Sequence, residues 1–164
     1  MSLSSSLVKI AIDLDETLIN NQHTFEKTKW TIKKGVLKWL PKLNKHNTFE
    51  FHCISARKPE HSEETFQILD SIETHTGIIF KTRNFTSGKA KGKYAMDLGC
   101  VALIDDYPMY LMNCEEHGVI PILLGKEKNK LLYPTWIVCI SWEQIHDYLA
   151  KRFVMITNPL LTCE

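Results

Sequence analysis

Short apolar runs alternate along the chain with longer segments in which apolar residues recur at helical spacing. Residues 7–14 are apolar apart from Lys9, which predicts a strand buried on both faces. Short apolar runs predict further strands at 49–54, 77–80, 100–104, 119–124 and 136–140. Apolar stripes and charged ends predict helices at 33–46, 59–76, 91–98, 109–117 and 142–153. This alternation predicts an α/β fold, a three-layer, Rossmann-like, doubly wound parallel sheet.

Length and composition are those of one soluble domain. The chain has 164 residues, 24% of them charged, and a net charge of +1, so nothing global indicates a nucleic-acid partner. We expect a flexible N-terminus over 1–6, a single domain over 7–153 and a C-terminal tail over 154–164. The start of the chain has neither a basic leader nor an uninterrupted apolar span, so no membrane partner is expected.

The cysteines indicate a reducing compartment. They are five in number and never form a Cys-x-x-Cys pair. Cys53 and Cys100 fall within predicted strands, where a reduced cysteine behaves as a small hydrophobic residue. We therefore expect a cytoplasmic protein without a disulfide framework.

Two carboxylates one residue apart follow the first predicted strand. Side chains alternate along a strand, so Asp13 and Asp15 start out pointing the same way. Such carboxylates repel each other, and both ionise readily only when positive charge lies between them, as a hard divalent cation would. A strand end whose carboxylates cap a turn or the next helix is the alternative, and the pair alone does not decide between the two.

Polar residues also follow the next three predicted strands. Residues 55–57 (Ser-Ala-Arg) follow the second, the basic stretch 81–93 follows the third, and Asp105 and Asp106 follow the fourth. Because parallel strands end at the same edge of a sheet, we expect all of these groups on one rim. A hydroxyl, a lysine and four carboxylates gathered there indicate a metal-assisted phosphate site.

This set of residues, in this order, resembles the haloacid dehalogenase (HAD)-like phosphatase superfamily. Residues 10–18 (Ile-Ala-Ile-Asp-Leu-Asp-Glu-Thr-Leu) resemble its first motif and residues 51–57 (Phe-His-Cys-Ile-Ser-Ala-Arg) its second. A lysine at the start of the helix before the fourth strand matches the third motif, and residues 102–106 (Ala-Leu-Ile-Asp-Asp) match the fourth. The resemblance implies a Mg²⁺-dependent phosphomonoester hydrolase that works through an aspartyl-phosphate intermediate.

The resemblance also implies roles for the carboxylates. Asp13 would be the nucleophile, and Asp15 would protonate the leaving oxygen and then accept a proton from the hydrolytic water. Mg²⁺ would be held by Asp13, by the backbone carbonyl of Asp15 and by Asp105. Asp106 would lie close to the metal or act through a water molecule.

Hydroxyl groups and one lysine are implied to bind the phosphate. Ser55 and the lysine would hold the phosphoryl oxygens, and Thr17 would orient the first loop. Three lysines lie near the expected position: Lys89, Lys91 and Lys93. Lys93 is favoured, followed by Lys91, because the shortest helix leading to the fourth strand starts at Lys93.

Arg57 has two interpretations. It contacts substrate from the loop after Ser55, or it pairs with a carboxylate near the start of the following helix. The second is favoured, and the sequence leaves both open.

The spacing between the motifs leaves no room for a full cap domain. About forty residues separate Asp15 from Ser55, so residues 19–32 form at most a flap, with Phe25 and Trp30 as candidate contacts. An open site suits a phosphoprotein or a nucleic-acid end. It also suits a nucleotide or other small phosphoester covered by the flap or by a neighbouring subunit of a homo-oligomer, and the motifs do not choose among these.

Two other functions fit the same fold. One is a non-catalytic phosphate-binding module, whose signature would be loss of the nucleophile or the acid. The other is a phosphotransferase, which needs a second substrate and usually a cap. Both candidate aspartates are present, which favours the hydrolase.

Overall fold

The computed structural model describes residues 6–23 and 28–154, with a six-stranded parallel sheet at its centre. Its strands are β1 (Val8–Ile12), β4 (Phe49–Ser55), β5 (Phe80–Phe85), β6 (Ala102–Asp105), β7 (Ile120–Leu124) and β8 (Ile137–Cys139). Two further strands, β2 (Ile19–His23) and β3 (Thr28–Ile32), form a separate antiparallel hairpin. The sheet order is β5-β4-β1-β6-β7-β8, a doubly wound order that reverses beside β1, and it confirms the predicted fold class.

Helices cover both faces of this sheet. They are α1 (Lys34–Lys45), α2 (Ser62–Thr76), α3 (Gly92–Asp97), α4 (Pro108–Leu111), α5 (Asn129–Leu132) and α6 (Trp142–Leu149). Short 3₁₀ turns at 59–61 and 115–117 and a π-helical turn at 150–154 complete the described elements. Within the described residues, none of the helices combines the length and the apolar character needed to cross a bilayer.

Strand β1 is buried on both faces, as its apolar run predicted. Ile10 and Ile12 point into a core formed with α1, α2 and α6, and Ala11 points into a second core formed with α3 and α4. All three side chains are fully buried. Since β1 is covered along its length, chemistry is available only at its carboxyl end.

Two elements depart from the sequence prediction. The strand expected at 77–80 begins only at Phe80, because Gly77 adopts a left-handed conformation (φ 76°) at the end of α2. This strand, β5, is an edge strand that contains the first part of the basic stretch. Its Arg83 forms ion pairs with Asp70 and Glu73 of α2. The helix expected at 109–117 is interrupted into α4 and a 3₁₀ turn that ends at Gly118.

The predicted flap is the β2–β3 hairpin. Trp30 is half-buried and packs against the core that contains α1, whereas Phe25 lies outside the described residues. Between Asp15 and Ser55 the chain forms this hairpin and α1, in agreement with the short spacing. The expected flexible N-terminus and tail lie outside the described residues, apart from residues 6 and 154.

Candidate active site

The strand register brings the predicted aspartates together. Ile12 of β1 is paired with Ile104 of β6, so Asp13 lies next to Asp105 at the carboxyl end of the sheet. The Asp13 backbone N–H donates to the Ile104 carbonyl at 2.9 Å and fixes this alignment. One carboxylate oxygen from each of Asp13, Asp105 and Asp106 lies within 4.8 Å of the other two.

Lys91 occupies the space between two of these carboxylates. Its Nζ lies 2.5 Å from Oδ1 of Asp13 and 2.6 Å from Oδ2 of Asp105, and the side chain is fully buried. The ammonium group also lies 4.6 Å from the centre of the Tyr110 ring, a cation–π distance. Burial alone would lower the pKa of Lys91, but the two carboxylates outweigh it and raise that pKa, so the lysine is a fixed positive charge.

The structure corrects the preference for Lys93 as the site lysine. Lys93 lies on the exposed surface of α3 and forms an ion pair with Asp97 at 2.8 Å. Lys91 takes the site position because the first residue of α3, Gly92, packs tightly against the segment that follows α4. A Cβ added to Gly92 would lie 2.6–2.7 Å from atoms of Asn113, so only glycine allows this approach.

The carboxylate cluster carries more negative charge than Lys91 neutralises. Burial raises the pKa of Asp13, although Lys91 opposes the shift. Burial and the neighbouring charge of Asp13 raise the pKa of Asp105 to about 8 and that of Asp106 to about 6. Three carboxylates around one ammonium group therefore form a site that a further cation would stabilise.

Asp15 lies in a different environment, dominated by hydrogen-bond donors. Arg57 donates from Nε to Oδ2 at 2.9 Å and from Nη2 to Oδ1 at 2.8 Å, and Asn21 donates to Oδ1 at 2.7 Å. Burial would raise the pKa of Asp15, but the hydrogen bonds from Arg57 and Asn21 outweigh it and hold that pKa below its ordinary value. Arg57 also forms an ion pair at 3.2 Å with Glu64 in the first turn of α2, which is the kind of pair favoured from the sequence, whereas its pair with Asp15 was not predicted.

Thr17 and Ser55 both lie at this end of the sheet. The Thr17 hydroxyl lies 2.9 Å from Oδ2 of Asp13 and 3.2 Å from Oδ1 of Asp106, so it braces the first loop against the cluster. The Ser55 hydroxyl is buried and accepts a hydrogen bond from the Arg57 backbone N–H at 3.2 Å. Both side chains are held by contacts to neighbouring site residues.

The hairpin is tied to the site at its base. Asn21 of β2 donates its backbone N–H to Oε1 of Glu16 at 2.7 Å, and Glu16 adopts a left-handed conformation (φ 58°). The side-chain oxygen of Asn21 is buried and has no hydrogen-bond partner among the described residues. An unpaired acceptor therefore lies beside Asp15.

An open cleft of about 350 Å³ lies beside these mostly buried groups. It is lined by Asp13, Asp15, Glu16, Ala56, Arg57, Asp106, Tyr107 and Tyr110. The sequence did not predict Asn21, Tyr107 or Tyr110 as site residues, because an asparagine in a hairpin and tyrosines just before or within a short helix carry no motif. One sequence signal does argue against Lys93 as the site lysine: Lys93 and Asp97 are four residues apart, a spacing typical of an ion pair on a helix surface.

No protein-family model matches the sequence, and no curated protein matches it. Solved structures do match the fold. One is 3-deoxy-D-manno-octulosonate 8-phosphate phosphatase from Moraxella catarrhalis, with 15% identity over 95% of this chain and 92% of that chain and a TM-score of 0.60. Another is D,D-heptose 1,7-bisphosphate phosphatase from Burkholderia thailandensis, with 15% identity over 87% of this chain and 99% of that chain and a TM-score of 0.62.

A third similar structure is a HAD-superfamily hydrolase from Ehrlichia chaffeensis. It has 9% identity over 90% of this chain and 98% of that chain, with a TM-score of 0.60. The chain therefore has the fold of the HAD-like superfamily, with an acidic cluster at the carboxyl ends of β1 and β6.

Proposed function

We propose that the protein is a Mg²⁺-dependent phosphomonoester hydrolase that works through an aspartyl-phosphate formed on Asp13. The observation that carries this proposal is the buried contact of Lys91 with both Asp13 and Asp105, beside a cleft that also exposes Asp15. A carboxylate backed by a fixed ammonium group is suited to approach a phosphate, which repels an uncompensated anion. Similar folds in two sugar-phosphate phosphatases support the same reaction class.

Asp13 and Asp15 divide the reaction between them. A carboxylate oxygen of Asp13 attacks phosphorus, the bond from phosphorus to the leaving oxygen breaks, and Asp15 protonates that oxygen. Water then attacks the phosphorus of the aspartyl-phosphate, Asp15 accepts its proton, and inorganic phosphate and free Asp13 are released. The two hydrogen bonds from Arg57 keep Asp15 ionised in the free protein, the state that the second step needs. For the first step Asp15 takes up a proton from the monoanionic form of the phosphate group and passes it to the leaving oxygen.

The carboxylates at this site fit a magnesium ion. Asp13, Asp105 and Asp106 offer hard oxygen ligands within 4.8 Å of one another, and magnesium prefers carboxylate oxygens. When bound, the cation would supply the positive charge that keeps these groups ionised and lets a phosphate dianion approach. The similar phosphatase from Moraxella catarrhalis was crystallised with magnesium and phosphate ions.

Lys91, Ser55 and Thr17 complete the proposed site. Lys91 balances the charge of the phosphoryl oxygens as well as that of Asp13, and the Ser55 hydroxyl is available to donate to a phosphoryl oxygen. Thr17 keeps Asp13 oriented through its 2.9 Å contact. The free, buried state of the four described cysteines supports our further proposal of a reducing, cytoplasmic location.

Phosphate release from 4-nitrophenyl phosphate, with and without Mg²⁺, tests the proposal. We expect Mg²⁺-dependent turnover that is lost in the Asp13→Asn variant. Asp97→Asn is the matched control, since Asp97 is an exposed carboxylate paired with Lys93 on the surface of α3. Equal activity of Asp13→Asn and wild type, in metal-loaded protein, would contradict the mechanism. Release of 4-nitrophenol without inorganic phosphate, and only when an acceptor alcohol is present, would favour a phosphotransferase instead.

A further inference from the structure

A second cavity lies beside the proposed active-site cleft. Its volume is about 450 Å³, and Glu16 and Asp106 line both cavities. The second cavity, called here the lysine cavity, is also lined by Lys33 at the start of α1 and by Lys126 and Lys128 in the loop after β7. The lysine cavity and the cleft therefore adjoin at Glu16 and Asp106.

The lysine cavity has more basic than acidic groups in its lining, with Lys33, Lys126 and Lys128 against Glu16 and Asp106. Among the described residues, Lys33, Lys126 and Lys128 form none of the salt bridges that engage Lys91, Lys93 and other basic side chains. The cleft, in contrast, is lined mainly by carboxylates and tyrosines. This excess of positive charge beside an acidic cleft attracts an anionic group of the ligand.

The loop that carries two of these lysines is held in place. The Gly125 backbone N–H donates to the Cys139 carbonyl of β8 at 2.9 Å, and the Lys126 N–H donates to Oδ1 of Asn129 at 2.6 Å. A Cβ added to Gly125 would lie 2.7 Å from that same oxygen, so a larger residue would displace the Asn129 side chain from this hydrogen bond. The backbone therefore presents Lys126 and Lys128 from a fixed position.

The sheet order sets the direction of this second site. Strand β7 is the neighbour of β6, so the loop after β7 is the next one along the rim beyond Asp105 and Asp106. Neighbouring strands lie about 4.8 Å apart, which places the loop within the length of a small substrate measured from the reacting phosphate.

We propose that the lysine cavity binds a second phosphate of the substrate, so that the preferred substrates are phosphomonoesters carrying another phosphate. This inference rests on the proposed function and narrows it. A bisphosphorylated small molecule provides the second phosphate as a monoester. The phosphorylated end of a nucleic-acid strand provides it as the adjoining phosphodiester. Lysine ammonium groups recognise both forms by the same charge-assisted hydrogen bonds.

Matched ligand pairs test the proposal. Adenosine 3′,5′-bisphosphate is compared with adenosine 3′-monophosphate, and fructose 1,6-bisphosphate with fructose 6-phosphate. A 3′-phosphorylated trinucleotide is compared with the 3′-phosphorylated mononucleoside. The measured quantity is the ratio of kcat/KM within each pair, for wild type, for Lys126→Ala/Lys128→Ala and for Lys130→Ala. Lys130 is the control, because it belongs to α5 but pairs with Glu127 and does not line the cavity.

We expect wild type to prefer the ligand with the second phosphate in at least one pair. In the double variant the ratio of kcat/KM within that pair should be about five- to tenfold lower, the scale expected for loss of two exposed charge contacts. In Lys130→Ala the ratio should equal that of wild type. The pair that shows the effect distinguishes a small bisphosphate from a nucleic-acid end. Equal kcat/KM for the two members of every pair would overturn the proposal. So would a preference for the second phosphate that is unchanged in the double variant.

Binding separates this inference from the proposed reaction. The same pairs are titrated by calorimetry into the Asp13→Asn variant, with and without the two lysine substitutions, so that no turnover is needed. Failure of wild type to hydrolyse 4-nitrophenyl phosphate would contradict the proposed function alone. Equal or undetectable affinity for both members of every pair would contradict the lysine cavity as a phosphate site.

Discussion

Arg57 donates two parallel hydrogen bonds to the Asp15 carboxylate, at 2.9 and 2.8 Å. This bidentate geometry fixes the orientation of Asp15 and stabilises its ionised form. Because Arg57 follows β4 and Asp15 follows β1, this pair links the loops after two neighbouring strands of the sheet. The proton carrier of the proposed mechanism is thus held by a residue that the sequence left with two interpretations.

Removal of Arg57 should change the pH dependence of activity. Arg57 lowers the pKa of Asp15, so Arg57→Ala raises that pKa. Because hydrolysis of the intermediate needs ionised Asp15, the acidic limb of kcat moves to higher pH. We expect about tenfold lower activity near neutral pH, and partial recovery in Arg57→Lys, which keeps the charge but loses the fork geometry. The measurement is a pH–rate profile with 4-nitrophenyl phosphate, and an unshifted acidic limb in Arg57→Ala would contradict this role.

Asp15→Asn should affect poor leaving groups more than good ones. A nitrophenolate leaves without a proton, whereas an alkoxide needs one from Asp15. We expect the loss in kcat/KM to be at least about tenfold larger for an alkyl phosphate such as glycerol 2-phosphate than for 4-nitrophenyl phosphate. Equal losses for the two substrates would show that Asp15 does not protonate the leaving oxygen.

Lys91 and Lys93 provide a matched pair of substitutions two residues apart. Lys91→Met leaves Asp13 and Asp105 buried without their cation, and breaking such a buried pair costs about 3–5 kcal/mol. We expect a lower free energy of unfolding in urea and a loss of phosphate release. Lys93→Met removes one exposed ion pair with Asp97, so its activity should stay within about threefold of wild type. Lys91→Arg keeps the positive charge and therefore controls for loss of activity through unfolding alone. Comparable activity of Lys91→Met, Lys93→Met and Lys91→Arg would contradict the assignment of Lys91.

Metal-free protein should become less stable as the pH rises. Asp105 has a pKa of about 8 and Asp106 of about 6, both above the ordinary value of 3.8. From the ordinary pKa of 3.8 up to the folded-state pKa of about 8, the folded protein binds more protons than the unfolded chain. The free energy of unfolding therefore falls as the pH rises through this range. A bound cation compensates the carboxylates, so Mg²⁺ should raise Tm more at about pH 8 than at about pH 5.

The Asp105→Asn variant is the control for this pH dependence. It removes the group with the larger shift, so its Tm should fall less steeply with pH than that of metal-free wild type. Thermal unfolding over a pH series, with and without Mg²⁺, measures both effects. A wild-type Tm that rises from about pH 5 to about pH 8 without metal would contradict the protonation assigned to the cluster.

The sequence predicted the parts of the site that depend on strand ends. Asp13, Asp15, Asp105 and Asp106 follow apolar runs directly, and parallel strands bring such positions to one rim whatever the details of packing. The doubly wound order could be anticipated for the same reason, because strands alternate with helices along the chain.

Side-chain choices that depend on distant packing could not be predicted in this way. Lys91 is selected over Lys93 by the close approach of Gly92 to Asn113, a contact across 21 residues that no local pattern contains. The contact of Asn21 with Asp15 depends on where the hairpin β2–β3 folds back. The lysine cavity depends on the register of β7 beside β6, which the apolar pattern of either strand leaves undetermined.

Trapping of the covalent intermediate tests the central claim most directly. Wild type is mixed with 4-nitrophenyl phosphate and Mg²⁺, treated with borohydride, digested and analysed by mass spectrometry. Borohydride reduces an aspartyl-phosphate to homoserine, so the account predicts homoserine at position 13, only when both substrate and Mg²⁺ are present. Turnover without any reduction at Asp13, or reduction at another carboxylate, would contradict the account.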